Sequence, residues 1–286
     1  MHQITFSAMG CRVTASLDSK HAQGNVLLGH IPIWFKQWEL SFSLAHPESE
    51  VSLLNAALGQ PIRVSRTFWS VLRIAIDIAA RSDGFVSLFS TQRTSSADWR
   101  SIELDPFTSS VRLPRASILD LTSIARSWAT NMAAHRFAEH GPTMIDTQDE
   151  VVVSGPMADG NPWQTSLSNS PISQQQLGYL MLGSGAAATS NRPARSESSN
   201  DTTQLIDPRT NKPAQTDLIS TTVIAPDSPT ACMAARIVLI LGSQAGIRWI
   251  EARPHLAALA LNERGDVVTS RTMTDMHYQR ARQYGV

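Results

Sequence analysis

Residues 119–131 read LDLTSIARSWATN, and the spacing of their apolar side chains predicts a helix on which the fold is built. Ile124, Trp128 and Met132 recur at intervals of four and therefore lie on one helical face. Gly141 is typical of the residue that ends a helix in the left-handed conformation. We therefore predict a helix over residues 123–140, with Thr122 or Ser123 as its N-cap.

A second apolar helix is predicted near the C-terminal end. Residues 218–225 have the composition of a strand, and Asp227-Ser228-Pro229 then supplies an N-cap and a first-turn proline for a helix over 230–241. The other predicted elements are strands over 3–8, 11–17, 101–104, 110–113, 143–146, 150–154, 163–167, 180–182, 256–261 and 267–270, and helices over 23–42 and between Ser65 and Ser82. Strands at both ends with helices between them predict an α+β fold in one domain over residues 1–286.

The composition excludes partners that need clustered positive charge. Lys and Arg total 24 and Asp and Glu total 24, so the formal net charge is zero. This balance argues against a nucleic-acid groove and against an anionic membrane surface. No apolar run approaches the roughly 20 residues of a membrane-spanning helix, and the N-terminal residues lack the pattern of a signal peptide. We therefore expect a cytoplasmic protein in which Cys11 and Cys232 are reduced.

Common catalytic motifs are absent from the sequence. There is no GxGxxG, no GxxxxGK[ST] and no GxSxG. His135 and His140 are five residues apart and lie on different helical faces, so they do not predict a zinc site.

Several short motifs occur in a distinctive order along the chain. They are Met9-Gly10, SFSLAHPESEVSLLN from Ser41, SDGFVSLFS from Ser82, LDLTSIARSWATN from Leu119, TSNRP from Thr189, QLIDPRTNKPA from Gln204 and ACMAARIVLILG from Ala231. In order and spacing these motifs resemble the FAD:protein FMN transferase, or ApbE-like, family over about residues 5–272, leaving 273–286 as a C-terminal tail.

The resemblance implies a mixed α/β body with a central cleft for a flavin dinucleotide. Members of that family split the pyrophosphate of FAD and attach FMN to a threonine hydroxyl of a partner flavoprotein, with the help of a bound magnesium ion. The implied ligand is therefore FAD and the implied macromolecular partner is an acceptor flavoprotein. The positions that the resemblance assigns to FAD binding are Met9, Asp120, Thr122, Ser123, Arg126, Glu150, Thr189, Ser190 and Asp207.

The metal positions depart from the family pattern. The family's Ala-Asp-x-x-x-Thr motif falls on Ala231, Cys232 and Arg236. Magnesium prefers oxygen ligands, a thiol is a poor replacement, and a guanidinium repels a divalent cation. We therefore predict that Cys232 and Arg236 do not bind magnesium in the family manner. The sequence allows two interpretations of Arg236. Its side chain is either solvated or pairs with a surface acid, or it replaces the metal by binding the pyrophosphate of FAD.

Other positions of the expected site also change. Thr122, Ser123 and Ser127 replace three glycines, while Arg126 replaces a lysine and keeps its charge. Gln148-Asp149-Glu150 replaces Gly-Gly-Asp, which retains only the final acid, and Val86 replaces an aspartate. The candidate catalytic residues are Gln204, Asp207 and Arg236, where Gln204 replaces a histidine and cannot shuttle a proton.

Three functions remain open from the sequence. The first is transfer of FMN from FAD, with Arg236 or Arg126 in place of magnesium. The second is a catalytically silent protein that binds flavin, a nucleotide or a partner. The third is a different phosphoryl or nucleotidyl transfer that uses Asn191, Arg192, Arg195 and Ser196 as a phosphate clamp.

Overall fold

An eight-stranded antiparallel sheet forms the centre of the computed structural model, which describes residues 1–20, 22–90, 98–168, 176–192, 205–274 and 277–280. The strands are β1 (His2–Ala8), β2 (Cys11–Leu17), β3 (Ile62–Arg63), β4 (Glu103–Asp105), β5 (Ser110–Arg112), β6 (Thr143–Asp146), β7 (Glu150–Val153), β8 (Trp163–Ser168), β9 (Gln176–Leu182), β10 (Gly185–Asn191), β11 (Ile206–Asp207), β12 (Lys212–Pro213), β13 (Leu218–Ala225), β14 (Ala257–Asn262), β15 (Val267–Thr269) and β16 (Tyr278–Arg280). The central sheet has the order β1-β2-β6-β7-β10-β13-β14-β15, so strands from both ends of the chain share it.

Smaller sheets and the helices surround this central sheet. The smaller sheets are β16-β9-β8, β3-β5-β4 and the pair β11-β12. The α-helices are α1 (Gly24–Leu28), α2 (His30–Phe42), α3 (Glu50–Ala56), α4 (Arg66–Arg81), α5 (Thr122–Phe137) and α6 (Ser228–Glu251), with 3₁₀ turns at Trp99–Ser101 and Ala138–His140. The combination confirms the predicted α+β class.

The two faces of the central sheet bury different cores because side chains alternate along each strand. Val152, Ala186 and Val223 pack into the larger core with the helices. Val151, Ala187 and Leu259 point the other way, into a smaller core formed with β8 and β9. The central sheet therefore has helices on one face and the three-stranded sheet on the other.

The first hairpin has the predicted position and a tight turn. Ala8 pairs with Cys11, which leaves Met9 and Gly10 as a two-residue loop. Both have positive φ, 49° at Met9 and 74° at Gly10, as a turn that follows the twist of the strands requires. Glycine adopts this conformation readily, whereas Met9 is one of few non-glycine residues here that do so.

The prediction of one continuous helix over residues 23–42 is wrong. The structure divides it into α1 and α2 at Gly29. Pro32, in the first turn of α2, has no N–H to bond the carbonyl of Leu28, so a continuous helix is unfavourable. The helix after Ser65 is confirmed, because α4 begins at Arg66 and the Ser65 hydroxyl accepts the N–H of Phe68.

The predicted helix over 123–140 is confirmed with different ends. It begins at Thr122 and becomes a 3₁₀ turn after Phe137, and Gly141 ends it with φ 137°. The predicted N-cap is wrong, because Leu121 occupies the cap position and no side chain of Thr122 or Ser123 caps the helix. The short carboxylate of Asp120 accepts the N–H of Thr122 instead, at 2.9 Å.

Helix α6 extends beyond its predicted end through a kink. Gly242 has φ 80° and ψ 174°, and the helix resumes after it. The carboxylate of Asp217 accepts the N–H of Ser243 at 2.8 Å and its hydroxyl at 2.6 Å, and so caps the second segment from outside the helix. Among the described residues, α6 is the one helix long and apolar enough to cross a membrane, but 61% of its apolar window is buried, as in a core helix.

Candidate functional site

A buried carboxylate joins three elements at the centre of the candidate site. Glu150 opens β7, and its side chain is 1% exposed. Arg126, one turn inside α5, donates from Nε to Glu150 Oε1 at 3.3 Å and is 23% exposed. Ser228, at the start of α6, donates from Oγ to Glu150 Oε2 at 2.5 Å. We call these three residues the Arg126–Glu150–Ser228 cluster.

Burial and charge oppose each other within this cluster. Burial raises the pKa of Glu150, although the hydrogen bond from Ser228 and the charge of Arg126 lower it. Burial alone would lower the pKa of Arg126, but the charge of Glu150, together with smaller contributions from Cys11, Cys232 and Asp149, outweighs burial, so this pKa lies above its ordinary value. The cluster therefore keeps a guanidinium that is charged and turned toward an acidic partner.

Cys232 and Arg236 follow Ser228 along one face of α6. The three residues are spaced by four, so each is one helical turn from the next. Desolvation and, to a smaller extent, the Glu150 charge raise the pKa of Cys232 to about 12. A hydrogen bond with Ser127 and the charges of Arg126 and Arg236 lower this pKa, but by less. The thiol is therefore neutral at physiological pH. The Arg236 side chain is exposed, and no carboxylate pairs with it among the residues the structure describes.

The turn of the first hairpin adjoins the same cluster. The N–H of Met9 is bonded to Glu39 Oε1 at 3.1 Å, and Met9 itself is buried. Cys11 donates from Sγ to the carbonyl of Ala8 at 3.3 Å. Burial raises the pKa of Cys11, and the Arg126 charge opposes this increase. Both cysteines are free thiols, as predicted.

The start of α5 presents exposed polar groups beside Arg126. Thr122 and Ser123 are exposed, and Asp120 is exposed apart from its bond to the first turn. The side chain of Asn55 holds Leu119, the residue before Asp120. Its amide oxygen accepts the N–H of Leu119 at 2.8 Å, and its amide nitrogen donates to the carbonyl of Leu119 at 3.0 Å. In the sequence, Asn55 is the last residue of the motif SFSLAHPESEVSLLN. A paired amide that fixes a distant backbone has no signature in sequence spacing.

A polar cavity of about 310 Å³ lies between the central sheet and the β8-β9 strands. Thr189 lines it and donates its N–H to the carbonyl of Asp149 at 2.7 Å, while its hydroxyl pairs with Thr222 at 2.8 Å. Ser190 follows on the same strand and is partly buried. Asn191 Oδ1 is buried and has no hydrogen-bond partner among the described residues. Polar side chains, Thr189 and Asn191 among them, therefore form part of the cavity wall.

Asp207 is buried within its own turn. Its carboxylate accepts three hydrogen bonds from Arg209, from the backbone N, Nε and Nη2, at 3.0, 3.0 and 2.7 Å. These bonds lower the pKa of Asp207, and the Arg209 guanidinium stacks 3.7 Å from the ring centre of Phe85. The side-chain bonds of Asp207 to described residues are thus local, and none of them joins the Arg126–Glu150–Ser228 cluster. Gln204 lies outside the described residues.

The proposed phosphate clamp is only partly described. Arg192 pairs with Glu263 at 2.7 Å and donates to the carbonyl of Thr216 at 3.2 Å, so its guanidinium is already bonded. Arg195 and Ser196 lie outside the described residues.

Comparison with known proteins identifies the family. A sequence model of the ApbE family matches residues 9–92 and 87–260. The chain belongs to the ApbE family. Two curated relatives are named FAD:protein FMN transferase. The one from Vibrio cholerae is 24% identical over 139 residues, which are 47% of this chain and 42% of the relative. The one from Haemophilus influenzae is 27% identical over 150 residues, which are 50% of this chain and 43% of the relative. The matched segments span less than half the length of each relative.

Solved structures share the fold of this ApbE-family chain. The ApbE protein of Thermotoga maritima superposes with a TM-score of 0.79 at 22% identity, covering 95% of this chain and 97% of the other. The apo flavinyl transferase ApbE of Pseudomonas stutzeri gives 0.79 at 19% identity, covering 96% of both. The flavin transferase ApbE of Vibrio cholerae gives 0.78 at 18% identity, covering 95% and 97%. At these identities the likeness establishes the fold.

The residues at the expected metal positions do not suit magnesium. Cys232 presents a neutral thiol, and Arg236 presents a positive charge one turn away. The nearest buried carboxylate, Glu150, already receives bonds from Arg126 and Ser228. No group of three or more His, Cys, Asp or Glu side chains with the geometry of a metal site occurs in the described part of the chain. Cys232 and Arg236 therefore do not supply the oxygen ligands that magnesium needs.

Proposed function

We propose that this ApbE-family chain binds FAD and has lost magnesium-dependent transfer of FMN. The observation that carries the proposal is the Arg126–Glu150–Ser228 cluster beside Cys232. Arg126 supplies a charged guanidinium of the kind that binds a phosphate, while Cys232 supplies a neutral thiol at a position where the resemblance leads us to expect an oxygen ligand for a metal. The proposal rests on family membership for the identity of the ligand, because the curated relatives are named for FAD.

Two surfaces support binding of a large dinucleotide. The start of α5 offers the exposed hydroxyls of Thr122 and Ser123, and its first turns have backbone N–H groups that favour anions. The cavity lined by Thr189 and Asn191 offers polar groups between the central sheet and the β8-β9 strands. Met9 and Asp207 are two further positions that the resemblance assigns to FAD binding. The expected cytoplasmic location and the absence of nucleic-acid and membrane partners stay predictions from the sequence.

FAD titration separates this proposal from a partner-binding scaffold. Purified protein is mixed with FAD, and flavin fluorescence and thermal unfolding are followed with magnesium and with a chelator. The proposal predicts a saturable change in flavin fluorescence and an increase in melting temperature. A protein that shows neither change does not bind FAD, and the scaffold function would then replace the proposal.

AMP release separates silent binding from transfer. FAD, magnesium and a threonine-bearing acceptor flavoprotein are incubated with the protein, and the Vibrio cholerae relative serves as a positive control. The proposal predicts no AMP and no flavin on the acceptor. Magnesium-dependent AMP release would overturn it.

One observation favours a second candidate, FMN transfer without a metal. The exposed Arg236 guanidinium lies one turn from Cys232 and could offset charge that develops on the phosphates. In that case AMP would be released equally with magnesium and with the chelator.

A further inference from the structure

Charge is distributed unevenly along one face of α6, which is buried at Ser228 and exposed at Arg236. Ser228, Cys232 and Arg236 occupy successive turns, so this face carries a hydroxyl, a thiol and a guanidinium and no carboxylate. Facing it, Arg126 is bonded to Glu150, which Ser228 also holds. Two arginines from different helices, α5 and α6, therefore flank a neutral thiol.

The two departures from the family motif together supply the charge of a divalent cation. An aspartate changed to Cys232 removes one negative charge, since a thiol is protonated at neutral pH. A threonine changed to Arg236 adds one positive charge. The sum equals the charge of one Mg²⁺ ion. Glu150 and Arg126 keep the charges that the resemblance expects at their positions, so the two changes on α6 offset the charge of a missing metal ion within this cluster.

We propose that Arg236 takes the electrostatic role of a divalent cation, so that this site binds a pyrophosphate-bearing ligand independently of metal ions. A planar guanidinium donates two parallel hydrogen bonds to phosphate oxygens, as a metal coordinates them, but it does not act as a Lewis acid. The exposed position of Arg236 leaves it accessible to such a ligand, whereas Arg126 is held by Glu150. This inference deepens the proposed function and rests on it for the identity of the ligand.

Charge-changing variants of the full chain test the inference, with FAD affinity measured in chelator and in magnesium. Wild type binds equally in both. Arg236→Thr loses about tenfold or more in chelator, the usual effect of losing a charge-assisted hydrogen bond, and Arg236→Lys retains most of the affinity. Arg248→Thr is the matched control: it lies on the same helix and is exposed, and it changes affinity less than about twofold.

A double change at Cys232 and Arg236 completes the design. Cys232→Asp combined with Arg236→Thr binds weakly in chelator and recovers in magnesium, because it restores oxygen ligands. If the double variant does not fold, as judged by circular dichroism, the comparison of Arg236→Thr with Arg236→Lys decides alone.

Two results separate failure of the inference from failure of the proposed function. Wild-type affinity that increases severalfold with magnesium, or Arg236→Thr that binds in chelator as wild type does, overturns the inference and leaves FAD binding intact. Wild type that binds no FAD under either condition overturns the proposed function and, with it, the inference.

Discussion

Replacing Arg126 by methionine removes the buried guanidinium and keeps most of its apolar stem. At 3.3 Å the attraction between Arg126 and Glu150 is about 5 kcal/mol for an effective dielectric constant of about 20. Desolvation of both groups offsets much of this attraction. Removing only Arg126, however, leaves a carboxylate that is 1% exposed, has no positive partner from Arg126, and keeps only hydroxyl donors such as Ser228 and Ser127. We expect the free energy of unfolding to fall by about 2–4 kcal/mol at neutral pH.

Urea unfolding followed by circular dichroism at several pH values measures this loss. Burial already raises the pKa of Glu150, and loss of Arg126 raises it further. A raised carboxyl pKa means that the folded state binds a proton more readily, so stability decreases as pH rises through the interval between the unfolded and folded pKa values. The deficit of Arg126→Met should therefore shrink as the pH falls and Glu150 is protonated.

Two comparisons make the result specific. Arg126→Met with Glu150→Gln removes both charges and keeps an acceptor for Ser228, so it should be at least about 1 kcal/mol more stable than the sum of the single changes predicts. Arg81→Met is the control: its ion pair with Asp77 is shorter, 2.6 Å, but the side chains are 51% and 59% exposed, so it should cost under about 1 kcal/mol. Equal losses for Arg126→Met and Arg81→Met, independent of pH, would refute the reasoning.

Three further predictions concern single residues. In a Cys11→Ser background, Cys232 should react with iodoacetamide far more slowly than a free thiol at pH 8, because its pKa is raised to about 12. The reaction should become faster toward pH 11. Rapid labelling of the folded protein at pH 8 would contradict this. Asp207→Asn should lower the free energy of unfolding by about 1 kcal/mol at pH 7, and the difference should vanish as the pH falls below the lowered pKa of Asp207; a pH-independent difference would show that its charge is unimportant. Gly242→Ala should lower the free energy of unfolding by about 1–3 kcal/mol, since φ is 80° and a Cβ would lie 2.9 Å from the Asp217 carboxylate that caps the second segment of α6. Gly155→Ala is the control and should be nearly neutral, because a Cβ there meets nothing within 4 Å. Equal melting temperatures for the two variants would contradict the positive φ of Gly242.

Local pattern predicted most of the elements of this fold. The hairpin at Met9 and Gly10 and helix α4 follow from alternation and helical spacing, and the structure confirms both. Pairing order could not be predicted, because β10 inserts between β7 and β13 through contacts distant in sequence. The kink at Gly242 was also missed, since its cap comes from Asp217, outside the helix.

The candidate site was predictable in composition but less so in geometry. Motif order placed Arg126, Glu150, Cys232 and Arg236 in one site, and the electrostatic contacts among them agree. The bond from Ser228 to Glu150 was not foreseen, because two helices and a strand must meet before these groups touch. The roles assigned to these residues stay predictions.

The account depends most on whether this chain handles FAD without magnesium. A single titration decides it: FAD is added to wild-type protein in chelator and in magnesium with a threonine-bearing acceptor present, and both flavin binding and AMP are measured. We predict the same affinity in both conditions and no AMP in either. Affinity that appears only with magnesium, together with released AMP, would contradict the account.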